Sequence, residues 1–400
     1  MAIIFPVRIS RLLSCAEPLA RFDPGAPLLA EDPSAYWTLV TSGPDRLPAP
    51  GSGVALWRHA EVETLLKHPT APAKCPARAL HAFPPGPFRD HNAATMTFMD
   101  PPGHGPVRRS FARAFAPSVL ATLTPFVEAA SARLLRGLCG ETDLVSAYAE
   151  RLPVLVIARI LGVDPAAERQ LRAAAATVVA GLEPAAPPTA HRAADAAVTL
   201  LARLVAPQME KPAADSLFAW LADTPAADLP SAAHRLHNAI FLLNAGHETT
   251  SRLIAALAVA LMDDPALAIR AEGEKGAAAL VEEVLRLDPP LHFVPRFLAE
   301  PWRDLAEGSL VFLLLAAANR DPCVFPDPAR LQPARPGATR HLSFAAGRHL
   351  CLGASLARIE GRVACRHLAR LVPRLRRVPG AVRTAGRMFQ GWERLPVSVE

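Results

Sequence analysis

One stretch near the C-terminal end limits what this chain can become: His341-Leu342-Ser343-Phe344-Ala345-Ala346-Gly347-Arg348-His349-Leu350-Cys351-Leu352-Gly353-Ala354. It reads F-x-x-G-x-x-x-C-x-G and runs into an amphipathic helix. Leu352, Leu356, Ile359 and Val363 recur at helical spacing, with Arg358, Arg362, Arg366 and Arg370 on another face. Cys351 therefore sits at or just before a helix N-terminus. Free backbone N–H groups there stabilise an anion and favour ionisation of a thiol. Gly347 and Gly353 let the backbone turn tightly around the sulfur. Such a loop presents a thiolate to a metal. The alternative is an ordinary buried cysteine, and the Phe, Gly, His and Gly at fixed offsets argue against it.

The chain has 400 residues, enough for a large core, and no repeat or low-complexity linker divides it. Its 41 Pro are scattered and punctuate helices rather than forming a tract. Hydrophobic residues make up 51%, much of it Ala, which suits a helix-rich protein. The apolar run Met1 to Val7 is broken by Pro6 and closed by Arg8, too short for a signal segment or a membrane span. Six cysteines (Cys15, Cys75, Cys139, Cys323, Cys351, Cys365) show no paired spacing, which fits a reducing compartment. A cytoplasmic protein that spans no membrane is expected.

Lys plus Arg exceed Asp plus Glu by 43 − 37 = 6, and the excess is local. From Arg330 to Arg377 there are eleven Arg and one acid, Glu360. No nucleic-acid motif or interleaved aromatic row accompanies them, so no nucleic-acid partner is expected. An acidic protein partner is the leading reading, and a solvated basic face the alternative.

Three further segments carry chemistry. Asp100-Pro-Pro-Gly-His104-Gly-Pro-Val-Arg108 opens a helix, with Pro106 near its start and His104 and Arg108 on one face. A helix over about 231–263 carries Asn244-Ala245-Gly246-His247-Glu248-Thr249-Thr250 in its middle. A Gly and two Thr weaken a helix interior and favour a bend there; a small-residue core contact is the plainer reading. A helix over 272–287 contains Glu283-Val-Leu-Arg286, by itself as consistent with a surface ion pair. Residues 71–98 read as a long irregular loop rich in Pro and aromatics, and 288–296 as an extended segment.

Together these segments resemble the cytochrome P450 family, in order and over most of the chain, most strongly over 95–163 and 236–397. The resemblance implies a single domain over 1–400, mainly α with small β-sheets. It also implies a haem b cofactor with Cys351 as axial thiolate in a loop shaped by Phe344, Gly347 and Gly353. His104, Arg108, Arg296 and His349 would hold the haem propionates. Ala245 and Gly246 would make room for dioxygen, and Glu248 and Thr249 would handle protons. Glu283, Arg286 and Arg330 would brace the Cys loop. Phe83, Phe88, Phe241, Asn244, Leu291, Phe293, Met388 and Phe389 would line the substrate pocket, with Asn244 either a polar anchor or internally bonded, for instance to Glu248. Ala345 departs from the family's usual Gly, Leu331 stands where Phe is common, and the hairpin 300–308 is a few residues short.

The activity so implied is monooxygenation of a small organic, secondary-metabolite-like substrate. Without a flavin or iron–sulfur motif, electrons come from a ferredoxin-type partner with its NAD(P)H-dependent reductase. That partner would dock on the Arg-rich side near Arg109, Arg340 and Arg348. A peroxygenase would typically lack the acid–Thr pair. A non-oxygenating haem enzyme would share the Cys loop, and a silent recruitment domain would be expected to lose Cys351.

Overall fold

The structure, a computed structural model, describes residues 18–184, 186–224 and 229–400. The N-terminal apolar run and Cys15 lie outside them.

Helices dominate, as expected, and those that position the site are nine. They are α1 (Pro87–Ala93), α2 (His104–Ala112), α3 (Pro117–Arg136), α4 (Arg151–Leu161), α5 (Glu168–Ala180), α6 (Pro188–Val205), α7 (Ala232–Asp263), α8 (Glu274–Leu287) and α9 (Ala354–Leu371). Their ends follow local chemistry. Pro87, Pro117 and Pro188 open α1, α3 and α6, where a missing N–H costs nothing. The Ser231 hydroxyl accepts from His234 N at 3.2 Å and caps α7. Gly162, at φ +77°, ends α4.

Three small sheets complete the fold. The largest has the order β1 (Arg46–Ala49), β2 (Gly53–Leu56), β6 (Leu310–Leu313), β5 (Val294–Leu298), β3 (Pro72–Ala73), with β2 and β6 parallel and the other pairs antiparallel. A second joins β4 (Gly140–Asp143), β10 (Pro396–Val399) and β7 (Leu375–Arg377), and β8 (Val382–Arg383) pairs with β9 (Trp392–Arg394). The short 300–308 link still closes β5 onto β6: Gly308 N donates to Leu298 O at 2.7 Å, and Trp302 and Leu305 exchange backbone bonds at 3.0 Å.

The main core lies among the helices, with α7 running through it against α4, α8 and α9. A separate aromatic cluster of Phe22, Tyr36, Trp37, Phe293 and Phe312 packs beside the large sheet. One expectation is corrected. Residues 71–98 are not an irregular loop: they hold helical turns at Pro76–Ala79 and Leu80–Ala82, then α1 and Met96–Phe98. In α7, which is continuously helical through Asn244–Thr250, the Thr249 hydroxyl bonds back to Ala245 O at 2.7 Å, the competing bond expected of a threonine there.

Candidate active site

The Cys loop is closed on itself and braced from behind. Cys351 N donates to Phe344 O at 2.9 Å, and Leu350 N to Gly347 O at 3.0 Å. Gly347, at φ +67°, lies against the helix His59–Lys67, where a Cβ would stand 2.1 Å from Leu66 O. The Phe344 ring lies under the Arg358 guanidinium, 4.5 Å from its carbon. Cys351 keeps accessible surface. Its thiol is nevertheless pushed up by burial, which the Gly353 N–H, Arg108 and Arg358 oppose without reversing. The helix N-terminus and the two arginines act in the direction expected for this loop, and burial acts against them.

The brace begins at Glu283 and Arg286, both wholly buried, joined by two bonds of 2.8 Å. Arg286 also donates to Asn319 O at 2.9 Å and Pro328 O at 2.8 Å. Asn319 in turn holds the Cys loop: its Oδ1 accepts from Leu342 N at 2.7 Å, and its Nδ2 donates to Ser343 Oγ at 2.9 Å. The expected third brace is corrected. Arg330 contributes only its carbonyl, its side chain being exposed, and Arg335 Nε makes the ion pair with Glu283 at 3.0 Å.

His104, Arg108, Arg296 and His349 come together. The rings of His104 and His349 have centroids 4.5 Å apart, and the Nε2 of each is buried without a partner. Arg108 Nη2 donates to Leu350 O at 2.6 Å. The Arg296 guanidinium, pushed down to about 10 by burial against the opposing pull of Asp100, donates to Pro295 O and makes no ion pair among the described residues. Lys74, which the sequence did not single out, belongs to this cluster: burial and then Arg296 hold its ammonium well below the usual lysine range. Asp100 is the one acid that acts on all three of Lys74, Arg296 and His104, and its two oxygens are already taken by Lys74 N at 2.8 Å and Cys75 N at 2.9 Å. Donors and cations in such excess over a single engaged carboxylate fit a dianionic group such as the two propionates of haem. The donor set and the thiol loop therefore suit the cofactor.

On α7, Glu248 is paired with Arg252 at 2.9 Å, not with Asn244. Asn244 is 4% exposed, and neither of its amide atoms finds a partner. One turn on, buried His247 lies beside the acid, its Nδ1 3.9 Å from Glu248 Oε1. A methyl on Gly246 would meet Ile157 of α4 at an ordinary 3.8 Å.

The pocket-wall expectations divide. Phe88 and Phe293 are corrected: both are core residues. Phe88 is wedged against His191 of α6, with its ring also close to Gly181 after α5, and Phe293 meets Phe22 edge-on at 5.3 Å. Phe83, Phe241, Leu291, Met388 and Phe389 keep partial exposure, and Leu291 bridges to Phe389.

With this geometry in view, comparison with known proteins identifies the class. Residues 277–370 match the family model described as Cytochrome P450. The chain is 33% identical over 313 residues to Cytochrome P450 107B1 of Saccharopolyspora erythraea, covering 76% of each chain. It is 35% identical over 320 residues to the vitamin D(3) 25-hydroxylase of Pseudonocardia autotrophica, covering 76% of this chain and 77% of that one. The crystal structure of CalO2 superposes with a TM-score of 0.87 at 25% identity, over 96% of this chain and 99% of that one. The chain belongs to the cytochrome P450 family of haem-thiolate monooxygenases, whose cofactor is haem b. Among the described residues, no helix is long and apolar enough to cross a membrane.

Proposed function

We propose that this P450, a single catalytic domain over residues 1–400, oxidises a small organic, secondary-metabolite-like substrate in the cytoplasm. Its electrons come from a separate ferredoxin and its NAD(P)H-dependent reductase. The carrying observation is the meeting of the braced Cys351 loop with a cluster of cations and unpartnered histidine nitrogens that far outnumbers its one nearby acid, Asp100. When bound, haem b activates dioxygen, and donation from the thiolate favours O–O cleavage. The chain's part is to bind, orient and supply protons. His104, Arg108, Arg296 and His349 would hold the propionates, with Lys74 as a further cation. Glu248 would pass protons and Thr249 would hold them at its hydroxyl, beside Ala245 and Gly246.

Phe83, Phe241, Leu291, Met388 and Phe389 would form apolar walls. Asn244, with no internal partner, would turn its amide to a hydrogen-bonding group of the substrate. One relative is named for hydroxylating vitamin D(3) and another, 33% identical, is the erythromycin C-12 hydroxylase of Saccharopolyspora erythraea, which supports hydroxylation as the reaction type. For the redox partner, the exposed Arg109 and Arg340 on the Cys351 side support an acidic ferredoxin.

The test is the spectrum of the reduced carbon monoxide complex. A red-shifted Soret band should appear in the wild type and vanish in Cys351→Ala; a band that survives that substitution would overturn the ligand assignment.

A further inference from the structure

Glu248 does not stand free on α7. Arg252, one helical turn on and on the same face, donates from Nη2 to Glu248 Oε2 at 2.9 Å. The same guanidinium reaches the other way. Its Nη1 donates to Thr384 Oγ1 at 3.1 Å and to Phe389 O at 3.2 Å. Arg252 and Glu248 are 11% and 12% exposed, so water competes little with either bond. The C-terminal turn 384–391 also leans on the arginine stem. A Cβ on Gly391 would stand 2.6 Å from Arg252 Cγ, so a side chain there would have to push the arginine stem aside.

The other side of the turn is held from the far end of α5. Glu183, three residues beyond that helix, accepts three consecutive backbone N–H groups: Arg387 N at 2.9 Å, Met388 N at 3.0 Å and Phe389 N at 3.0 Å. Three donors on one carboxylate make a strong, directional tie. Phe389 is the shared residue. Its N–H serves Glu183 and its carbonyl serves Arg252, so neither tie can shift without moving the other. The extended segment before β5 closes the arrangement, with His292 N donating to Met388 O at 2.9 Å and Gln390 N to Pro290 O at 3.0 Å.

We propose that Arg252 is a positioning residue for Glu248, and that the turn 384–391 couples the placement of this acid to the end of α5 through Glu183. The inference rests on the proton-handling role proposed for Glu248. A planar guanidinium can bridge a carboxylate and a backbone carbonyl at once, whereas an ammonium holds a single point of charge. A displacement at the end of α5 is thereby passed through Glu183, Phe389 and Arg252 to the acid.

The experiment uses haem-loaded enzyme with NADPH, a bacterial ferredoxin and its reductase, and no organic substrate. Two electrons and two protons reduce dioxygen to peroxide; four of each reduce it to water. NADPH consumed per dioxygen, with peroxide released, therefore reads proton supply. Glu248→Gln should slow turnover and change this ratio. Arg252→Gln should change the ratio in the same direction and slow turnover about tenfold, as a sub-ångström misplacement of a catalytic group does. Arg252→Lys, which keeps the charge, should fall between it and the wild type. Arg252→Gln should add nothing in a Glu248→Gln background, and Glu183→Gln should shift the ratio only while Arg252 is present. Wild-type behaviour of Arg252→Gln, or a further loss in the double variant, would overturn the inference and leave the role of Glu248 standing. Wild-type behaviour of Glu248→Gln would instead overturn that role, and the inference with it. Should Arg252→Gln lose haem, Arg252→Lys and Glu183→Gln carry the same comparison.

Discussion

Gly347 and Leu66 are in such close contact that the glycine cannot be given a side chain: a Cβ would lie 2.1 Å from the Leu66 carbonyl oxygen and 3.0 Å from Lys67 Cα. The left-handed backbone at Gly347 adds to the restriction. Gly347→Ala combines a left-handed penalty of about 1–2 kcal/mol with overpacking of about 1–3 kcal/mol. It should lower the melting temperature and the haem content together. Full haem content at unchanged stability would show that the helix His59–Lys67 yields easily.

Ala345 stands two residues earlier, also left-handed, at φ +56°. Ala345→Gly relieves that strain, and the greater freedom of glycine in the unfolded chain takes part of the gain back. The net expectation is a stabilisation of up to about 1 kcal/mol, read from the denaturant midpoint. A less stable variant would mean that packing of the methyl outweighs the strain.

Glu283 carries Arg286 and Arg335 together. Glu283→Gln leaves two buried cations with one neutral partner and should cost about 3–5 kcal/mol. The exposed Arg330 side chain makes no such pair, and Arg330→Gln should change stability by less than about 0.5 kcal/mol. Equal effects at 330 and 335, measured by urea unfolding, would refute the assignment of Arg335 as the brace.

Glu360 on α9 is buried, and its Oε2 has no partner. Burial pushes its carboxyl up to about 8, from an ordinary 4.5. The folded state therefore binds a proton that the unfolded state releases between these values. Its stabilising share is complete below pH 4.5 and is lost as pH rises through 8. Glu360→Gln should flatten that slope, raising the melting temperature at pH 8 more than at pH 5. A constant difference across this range would mean that the carboxyl is not shifted.

Much of the basic face near the Cys loop is already neutralised. Arg358 pairs with Glu282, Arg362 with Glu274, Arg366 with Glu128, and Arg377 with Asp263. The exposed Arg109 and Arg340 have no such acid among the described residues. Reversing either charge should slow reduction by a ferredoxin several-fold and weaken its salt dependence, while dithionite reduction stays unchanged. A rate indifferent to salt would count against docking on this face.

The parts legible in the sequence were those with short-range signatures. Glu283 and Arg286 sit three apart on one helix, and Cys351 stands inside a loop with fixed glycine offsets. Arg335 pairs with a residue 52 positions away, so spacing could not distinguish it from Arg330. Lys74 resembled any loop lysine until the fold surrounded it with His349 and Arg296. Phe88 and Phe293 lay in segments that border a pocket, but the side of the backbone each one faces is decided by tertiary packing. Eleven arginines over 330–377 suggested an open basic face because their acids, such as Glu128, Glu274 and Glu282, come from helices earlier in the chain.

The ties that run from Glu283 through Arg286 and Asn319 to Ser343 consist of protein atoms alone. The sulfur donor's seat therefore hangs on a carboxylate about seventy residues upstream, and a disturbance at Glu283 is felt at Cys351 without any contact between them.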